Sequence, residues 1–380
     1  MANNKKFIGF GVVVLILLIL IGIESIKPER VESVAQNVIL DMNERTALKK
    51  NTYDIAKEIT TPDGFINSPT AGVDNNDPFQ LSDYIGKKVI LIEFWTYSCI
   101  NCQRVIPYLN AWHKKYEDDG LVIVGIHTPE FEFEKDFENV ARAVEKYDVE
   151  WPVVLDNDYS TWSAYKNRYW PRKYLIDIDG YIVYDHIGEG AYDETEQEIV
   201  KLLNERKQVL GEEGVVLVKE GEPTGTQEVA FEKVGTPETY LGASRIQYLI
   251  NLPNTSCLSG SCTYSFSNLE DFQGYELMGS WKLDSEYAKL ESKEGALRIA
   301  FTASKVNLVA GSDTPVQARI FLDGKVVGES EAGAHVSDGI VTFTAHDLYN
   351  LVDLQGDYEE HILEIQFLDS GINAFAFTFG

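Results

Sequence analysis

The sequence has 380 residues, more than one hydrophobic core usually serves, so two domains are expected. Hydrophobic residues make up 44% and aromatics 12%, which excludes a wholly disordered chain. The formal net charge of −27 would repel a phosphate backbone and argues against nucleic-acid partners.

The opening MANNKK is followed by an uncharged run over residues 7–23, rich in Val, Leu and Ile. It has the length of a short membrane span and exceeds most signal-peptide cores. Lys5 and Lys6 precede it and Glu24 follows, a charge bias that leaves the remaining chain outside. No A-x-A pattern and no lipid-accepting cysteine follow. The run reads as an uncleaved signal-anchor in the cell membrane, single-pass, with the rest extracytoplasmic; a cleaved signal peptide gives the same compartment. Thiols there tend to be oxidised, and four cysteines permit two pairs.

Polar residues then form a stalk, with a helix expected from Pro28 through Leu48. SPTAGVDNNDP, residues 68–78, is a loop by composition. VILIEFW, residues 89–95, reads as a buried strand. The next helix carries Val105, Ile106, Leu109 and Trp112 at helical spacing, and Gly120 can end it. LVIVGIH is a second buried strand. PEFEFEKDFENVARAVEKYDV reads as one helix with Val140, Ala143, Val144 and Tyr147 on a face. WPVVLD is a third strand and STWSAYKNRY a short helix. YLIDIDGYIVYDHIG holds two strands around Asp179–Gly180, a hairpin signal. A last helix runs over about residues 193–208. This order predicts a mixed central sheet flanked by helices.

A Gly- and Glu-rich linker follows, and the pattern then becomes alternating. Leu297, Ile299 and Phe301 share a face, as do Ala318, Ile320 and Leu322, then Leu363, Ile365 and Phe367, then Phe375, Phe377 and Phe379. Short strands with hairpin turns predict an all-β sandwich or jelly roll. The expected segments are 1–27 (tip and anchor), 28–58 (stalk), 59–208 (α/β domain), 209–236 (linker) and 237–380 (β-sandwich).

FWTYSCINCQR holds Cys99 and Cys102 at the junction of a strand and a helix. Cys99 falls at a helix N-terminus, where the dipole and free N–H groups favour a thiolate. Cys102, one turn deeper, can reach back and resolve a mixed disulfide. Cys99 is then the nucleophile and Cys102 the resolving thiol. Glu93, in the preceding strand, is either a buried proton relay for Cys102 or an exposed strand-end charge. Pro171 after Trp170 is either a cis-proline facing the cysteines or a trans turn residue. Arg104 can lower the thiolate pKa or be solvated. Trp95, Tyr97, Trp170 and His127 are candidates for substrate contact, with core or loop packing as the alternative. Glu130 follows in the same HTPEF motif.

Zinc would need further ligands, and Cys257 and Cys262 lie in the other domain without a His-x-His pattern. That second pair encloses LSGS and reads as a structural disulfide, a second redox couple being the alternative. Trp281, Tyr287, Tyr349 and Phe375 can stack on a sugar or pack in the core. A peroxidase would show a lone peroxidatic cysteine, and the C-x-x-C partner departs from that.

VILIEFWTYSCINCQRVIPYL, GIHTPEFEFE, PVVLDNDYSTWSAYKNRYWPRKYLIDIDG, GEGAYDETE, TPETYLG and AFAFTFG resemble the DipZ family, extracytoplasmic relatives of the TlpA-type thiol–disulfide oxidoreductases. The resemblance covers about residues 59–380. It implies a thioredoxin fold followed by a carbohydrate-binding-module-like β-sandwich. It further implies that Cys99 and Cys102 are the redox pair, that Glu93 holds the buried-acid position and that Pro171 is the cis-proline. Family members usually begin with a multi-span domain resembling the CcdA membrane protein, whereas one span is read here. The expected function is a membrane-anchored thiol–disulfide oxidoreductase that reduces disulfides of exported proteins and is fed by a CcdA-like membrane donor. No metal or organic cofactor is called for. A cell-surface glycan is a further candidate partner. A disulfide-forming oxidant or isomerase, or a surface binding module with a static bridge, are the alternatives.

Overall fold

The computed structural model describes residues 42–68, 79–219, 221, 223–267 and 273–380. The expected signal-anchor, residues 28–41 of the stalk and nearly all of the 68–78 loop lie outside the described residues. Among the described residues no helix is long and apolar enough to cross a membrane. The chain divides into two compact units, residues 1–52 and 53–380. In the first, the described part holds helix α1 (Met42–Lys49), the end of the helix expected from Pro28.

The larger unit begins with an α/β half. Its strands are β1 (Gly64–Ile66), β2 (Val89–Trp95), β3 (Leu121–His127), β4 (Val153–Leu155), β5 (Arg172–Ile176) and β6 (Ile182–Ile187). Its helices are α2 (Ile100–Tyr116), α3 (Phe137–Lys146), α4 (Ser160–Ala164) and α5 (Tyr192–Leu210). The sheet order is β1-β4-β3-β2-β5-β6; β2, β3 and β4 are parallel and the other pairs antiparallel. This is a thioredoxin-like fold. β2 is buried at every position because helices cover both faces, which is why it reads as an unbroken apolar run. Val105, Ile106, Leu109 and Trp112 of α2 are all buried, as their spacing predicts.

Two local readings are corrected. The expected strand set lacked β1, three residues too short to show a period. The helix expected over residues 129–149 begins only at Phe137, because the Asp136 carboxylate accepts from the N–H groups of Glu138 and Asn139 and starts it there. Residues 129–136 instead form a loop with a 3-10 turn over Glu132–Lys135. That change frees Phe131, Phe133 and Glu134 to pack elsewhere.

The second half is all β. Its strands are β7 (Thr239–Tyr240), β8 (Ser261–Tyr264), β9 (Tyr275–Leu283), β10 (Ala288–Leu290), β11 (Gly295–Thr302), β12 (Lys305–Gly311), β13 (Val316–Leu322), β14 (Lys325–Val326), β15 (Val336–Ser337), β16 (Ile340–Phe343), β17 (Asp347–Asp353), β18 (Glu360–Phe367) and β19 (Asn373–Phe379). Ten of them form one hydrogen-bonded path, with β7, β8 and β14 paired to its sides, around a single core, nearly a barrel rather than two separate sheets. Strand β9 makes the connection. Its first half pairs with β11 and its second with β8 and β10. Gly279 sits at the change with φ +100°, and a Cβ there would meet the Glu294 carbonyl and the Ser292 hydroxyl at 2.8 Å.

Leu297, Ile299, Phe301, Ala318, Ile320, Leu322, Leu363, Ile365 and Phe367 all face this core. The set on β19 does not keep its alternation. The register against β12 shifts between Val309 and Ala310, so Ala374 and Phe377 point into the barrel while Phe375 and Ala376 point out. Trp281 is fully buried, and Tyr349 and Phe375 are nearly so; Tyr287 packs on Phe375 at 5.2 Å between ring centroids. These four aromatics are thus engaged in packing.

The segment read as a linker is anchored at its start. Val216 is buried in the thioredoxin-like core, and the Asn204 amide both donates to its carbonyl and accepts from its N–H at 2.8 Å.

Gly125 on β3 is the tightest point beneath the site. A Cβ there would lie 2.3 Å from the Trp151 ring and 2.7 Å from Trp95 Nε1. Gly125→Ala is therefore expected to cost about 1–3 kcal/mol through overpacking. A urea titration should show a lower midpoint at unchanged slope, and an unmoved midpoint would mean the two indoles yield freely.

Candidate active site around Cys99 and Cys102

Strand β2 ends at Trp95, and beyond a short turn Cys99 forms the N-cap of α2 in extended backbone geometry, φ −78° and ψ 117°. Its carbonyl accepts the first helical bond, from Gln103 N at 3.0 Å. Cys99 therefore stands at the end of α2 where the unpaired N–H groups of the first turn and the positive end of the helix dipole lie. Cys99 is half-buried and Cys102 is 1% exposed; both are free thiols. Burial pushes the Cys102 thiol well above the ordinary range, reinforced by its hydrogen bond with Cys99, the charge of Cys99 and that of Glu93. One thiol is reachable and faces a helix N-terminus; the other is sealed and held protonated.

Glu93 lies in β2, opposite Gly125 on β3 and Lys173 on β5. It is buried, and among the described residues neither carboxyl oxygen has a hydrogen-bond partner. Burial pushes its pKa up to about 7, with the Lys173 charge pulling the other way. Lys173 is itself fully buried, and its ammonium reaches the Gly188 carbonyl at 3.5 Å. Sequence reasoning missed Lys173 because the strand was read from Tyr174; its signal was the extra register position that β5 gains at Arg172.

The Trp170–Pro171 peptide is cis. Trp170 is half-buried, donates from Nε1 to the Thr128 carbonyl at 2.9 Å and leans on Trp162 at 4.4 Å. It lines, with Cys99, a cleft of about 420 Å³ whose other wall comes from Phe231, Tyr240, Arg245 and Phe379.

The remaining contact candidates sit elsewhere. Trp95 is in the core, edge-on to His127 and Trp151. His127 is fully buried; its Nε2 accepts from the Tyr97 N–H at 3.3 Å, and burial pushes its pKa down to about 3. Tyr97 is 3% exposed, stacks on His127 and donates to the His346 carbonyl of the β domain at 3.0 Å. Arg104 is neither solvated nor aimed at the thiolate. It is buried, pairs with Glu189 at 2.9 Å, and bonds to Asn101 Oδ1 at 3.2 Å and to the Phe379 carbonyl at 3.3 Å. Trp95 and His127 are packed within the α/β half itself, whereas Tyr97 and Arg104 are held by the β domain through the His346 and Phe379 carbonyls.

Glu134 was also missed. Its fully buried carboxylate accepts from Ser98 Oγ at 2.6 Å, Ser98 N at 3.3 Å, Glu130 N at 2.6 Å and Phe131 N at 3.0 Å. It thereby pins the residue before Cys99. Burial, then the Glu130 charge, raises its pKa to about 7. Read as one of several helix-surface acids in EFEFEKD, it offered no distinguishing signal. Cys257 and Cys262 are joined in a disulfide in the β domain.

Residues 54–185 match the AhpC/TSA family and residues 236–380 match the thioredoxin-like C-terminal domain. Protein DipZ of Mycobacterium tuberculosis is 33% identical over 350 residues, 89% of this chain and 46% of that protein. The chain thus spans about half the length of the first of its curated relatives. Thiol-disulfide oxidoreductase YkuV of Bacillus subtilis is 30% identical over 121 residues, 32% of this chain and 81% of YkuV. Thiol-disulfide oxidoreductase ResA of Bacillus cereus is 32% identical over 123 residues, 32% of this chain and 68% of ResA.

The buried groups set the pH dependence of stability. Glu93 binds its proton more tightly folded (about 7) than unfolded (4.5), so its contribution is full below pH 4.5 and is lost as pH rises toward 7. His127 binds its proton more weakly folded (about 3) than unfolded (6.5), so its contribution is full above pH 6.5 and is lost as pH falls toward 3. Each group changes the unfolding free energy by up to about 1.4 kcal/mol per pH unit inside its window. Urea midpoints measured from about pH 3.5 to 8, spanning both windows, should show a flatter alkaline limb in Glu93→Gln and a flatter acid limb in His127→Gln. Limbs parallel to wild type would mean that water reaches both groups.

Proposed function

We propose, given that the chain belongs to the thioredoxin-like thiol–disulfide oxidoreductases, that it reduces disulfides by dithiol exchange at Cys99 and Cys102. One observation carries the reading: a reachable thiol at a helix N-terminus, a sealed thiol one turn behind it, and a buried carboxyl with no hydrogen-bond partner among the described residues near the sealed one. The Cys99 thiolate attacks one substrate sulfur, forming a mixed disulfide, and the other sulfur leaves as a thiolate that is protonated by solvent. Cys102 then gives its proton to the Glu93 carboxylate and attacks Cys99 Sγ. The second substrate sulfur leaves as a thiolate that is protonated by solvent, and the enzyme holds a Cys99–Cys102 disulfide, so two electrons have passed to the substrate. A carboxyl that titrates near 7 is well matched to take up and return a proton near neutral pH. The residue before cis-Pro171 lines the cleft at Cys99 and supplies backbone against which a substrate segment can lie.

The substrates in this reading are disulfide-containing exported proteins. The enzyme is anchored by residues 7–23, works outside the cytoplasm and is recharged by a CcdA-like membrane donor. The uncharged run and the two lysines before it support that placement.

Cys102→Ala should accumulate mixed disulfides through Cys99, seen as thiol-sensitive bands on non-reducing gels, and Cys99→Ala should accumulate none. An absence of such bands with any disulfide offered would remove the exchange mechanism. A reduction potential at or below about −230 mV fits a reductant, whereas one near about −120 mV would make the enzyme an oxidant and reverse the assigned direction. Glu93→Gln should slow release of the second thiol by about 10²-fold and abolish the inflection near pH 7 in its rate. A retained inflection would move the proton to another group.

A further inference from the structure

We propose that the β domain converts the open redox face into a cleft that admits disulfides carried on short or unfolded peptide segments and shuts out those on folded surfaces. This rests on the dithiol-exchange reading above and names its substrate class. The β domain touches the redox face at three places, two on α2 and one on the loop after β3. Ile100, directly after Cys99, is buried in a cluster with Val309, Leu348, Phe375 and Ala376, all from the β domain. Arg104 on the same helix donates to the Phe379 carbonyl. Glu130, from the loop after β3, accepts from Tyr240 Oη at 2.8 Å and from Arg245 at 2.6 Å, with the Arg245 guanidinium 3.7 Å above the Tyr240 ring. The HTPEF and TPETYLG motifs thus meet as the clamp between the two halves.

What remains open beside Cys99 is the cleft of about 420 Å³. A pocket of that size is ordinary for a small ligand or a few residues of extended chain. The β-domain residues Tyr240, Arg245 and Phe379 stand in the wall of this cleft, so a folded partner would meet them before its disulfide reached Cys99. The cleft is lined by aromatic surface from Trp170, Tyr240 and Phe231, the last 53% exposed. Charges of both signs sit among them, Arg168 and Arg245 against Glu130 and Glu238. Aromatic walls suit an apolar side chain beside the substrate cysteine, and the mixed charges suit peptide groups or chain ends, as in a flexible peptide disulfide. Phe231 and Tyr240 act as specificity-determining residues by narrowing the opening.

The test uses the full chain in its dithiol form and two disulfides with the same flanking residues: insulin, and a short two-chain peptide copying one insulin interchain disulfide. Each rate is divided by the rate of the same disulfide with dithiothreitol, which removes intrinsic reactivity. The peptide should be preferred by about tenfold or more, and Phe231→Ala/Tyr240→Ala should narrow that ratio by raising the insulin rate. Equal normalised rates in the wild-type protein would overturn the cleft proposal while leaving dithiol exchange standing. Failure to reduce either disulfide, with Cys99 and Cys102 titrating as free thiols, would overturn the exchange reading and the cleft proposal together.

Discussion

The aromatic seam where Phe375 meets Phe131 and Phe133 is the contact on which the arrangement of the site depends. The ring centroids lie 5.1 and 4.7 Å apart, tilted and edge-on, the geometries that the ring quadrupoles favour. A fully buried ring contributes roughly 1.5–3 kcal/mol by area alone; Phe131 and Phe375 are buried to that extent and Phe133 partly, and together they hold the β domain to the redox loop. A one-residue register shift on β19 makes this possible by turning Phe375 out of the barrel. The same seam seats Ile100 at the first turn of α2, and so fixes where the helix N-terminus and Cys99 stand.

Behind that loop, two electrostatic environments act on two chemically identical thiols. Cys99 stands partly exposed at the N-terminus of α2, beside the unpaired N–H groups of its first turn. Cys102, one turn away, is enclosed by apolar side chains and held neutral. Glu93 would be costly in such a strand as a lone charge, and it has Lys173 directly across the β2–β5 ladder. The acid therefore titrates near neutrality instead of being neutral at every working pH. Glu134 plays a mechanical part by tying Ser98 to the loop at Glu130 and Phe131 through four accepted hydrogen bonds.

Much of the α/β half was legible because its physics is local. β2 and β3 are covered on both faces, so their apolar runs stand out, and α2 shows its buried stripe at the helical period. The Cys99–Cys102 spacing after a strand needs only local geometry to be read. The less legible features are non-local. Lys173, Glu134 and Arg104 look like surface charges in sequence and are buried by partners that no local period reveals: the sheet around Lys173, Ser98 against Glu134, and Glu189 and Phe379 against Arg104. Trp95 and Tyr97 flank the motif in sequence yet face inward, where both pack on His127 at the end of β3.

The sequence by itself determined the elements, the two kinds of hydrophobic period and the dithiol pair, since each is encoded within a few consecutive residues. The tertiary structure alone decided what surrounds that pair. Phe375 leaves its alternation only because β12 and β19 pair with a shift, and Glu130 finds Tyr240 and Arg245 only when two halves distant in sequence dock. Periodicity reports which side of an element is apolar; which apolar sides meet depends on register and docking, and those are settled by the free energy of the whole packed unit.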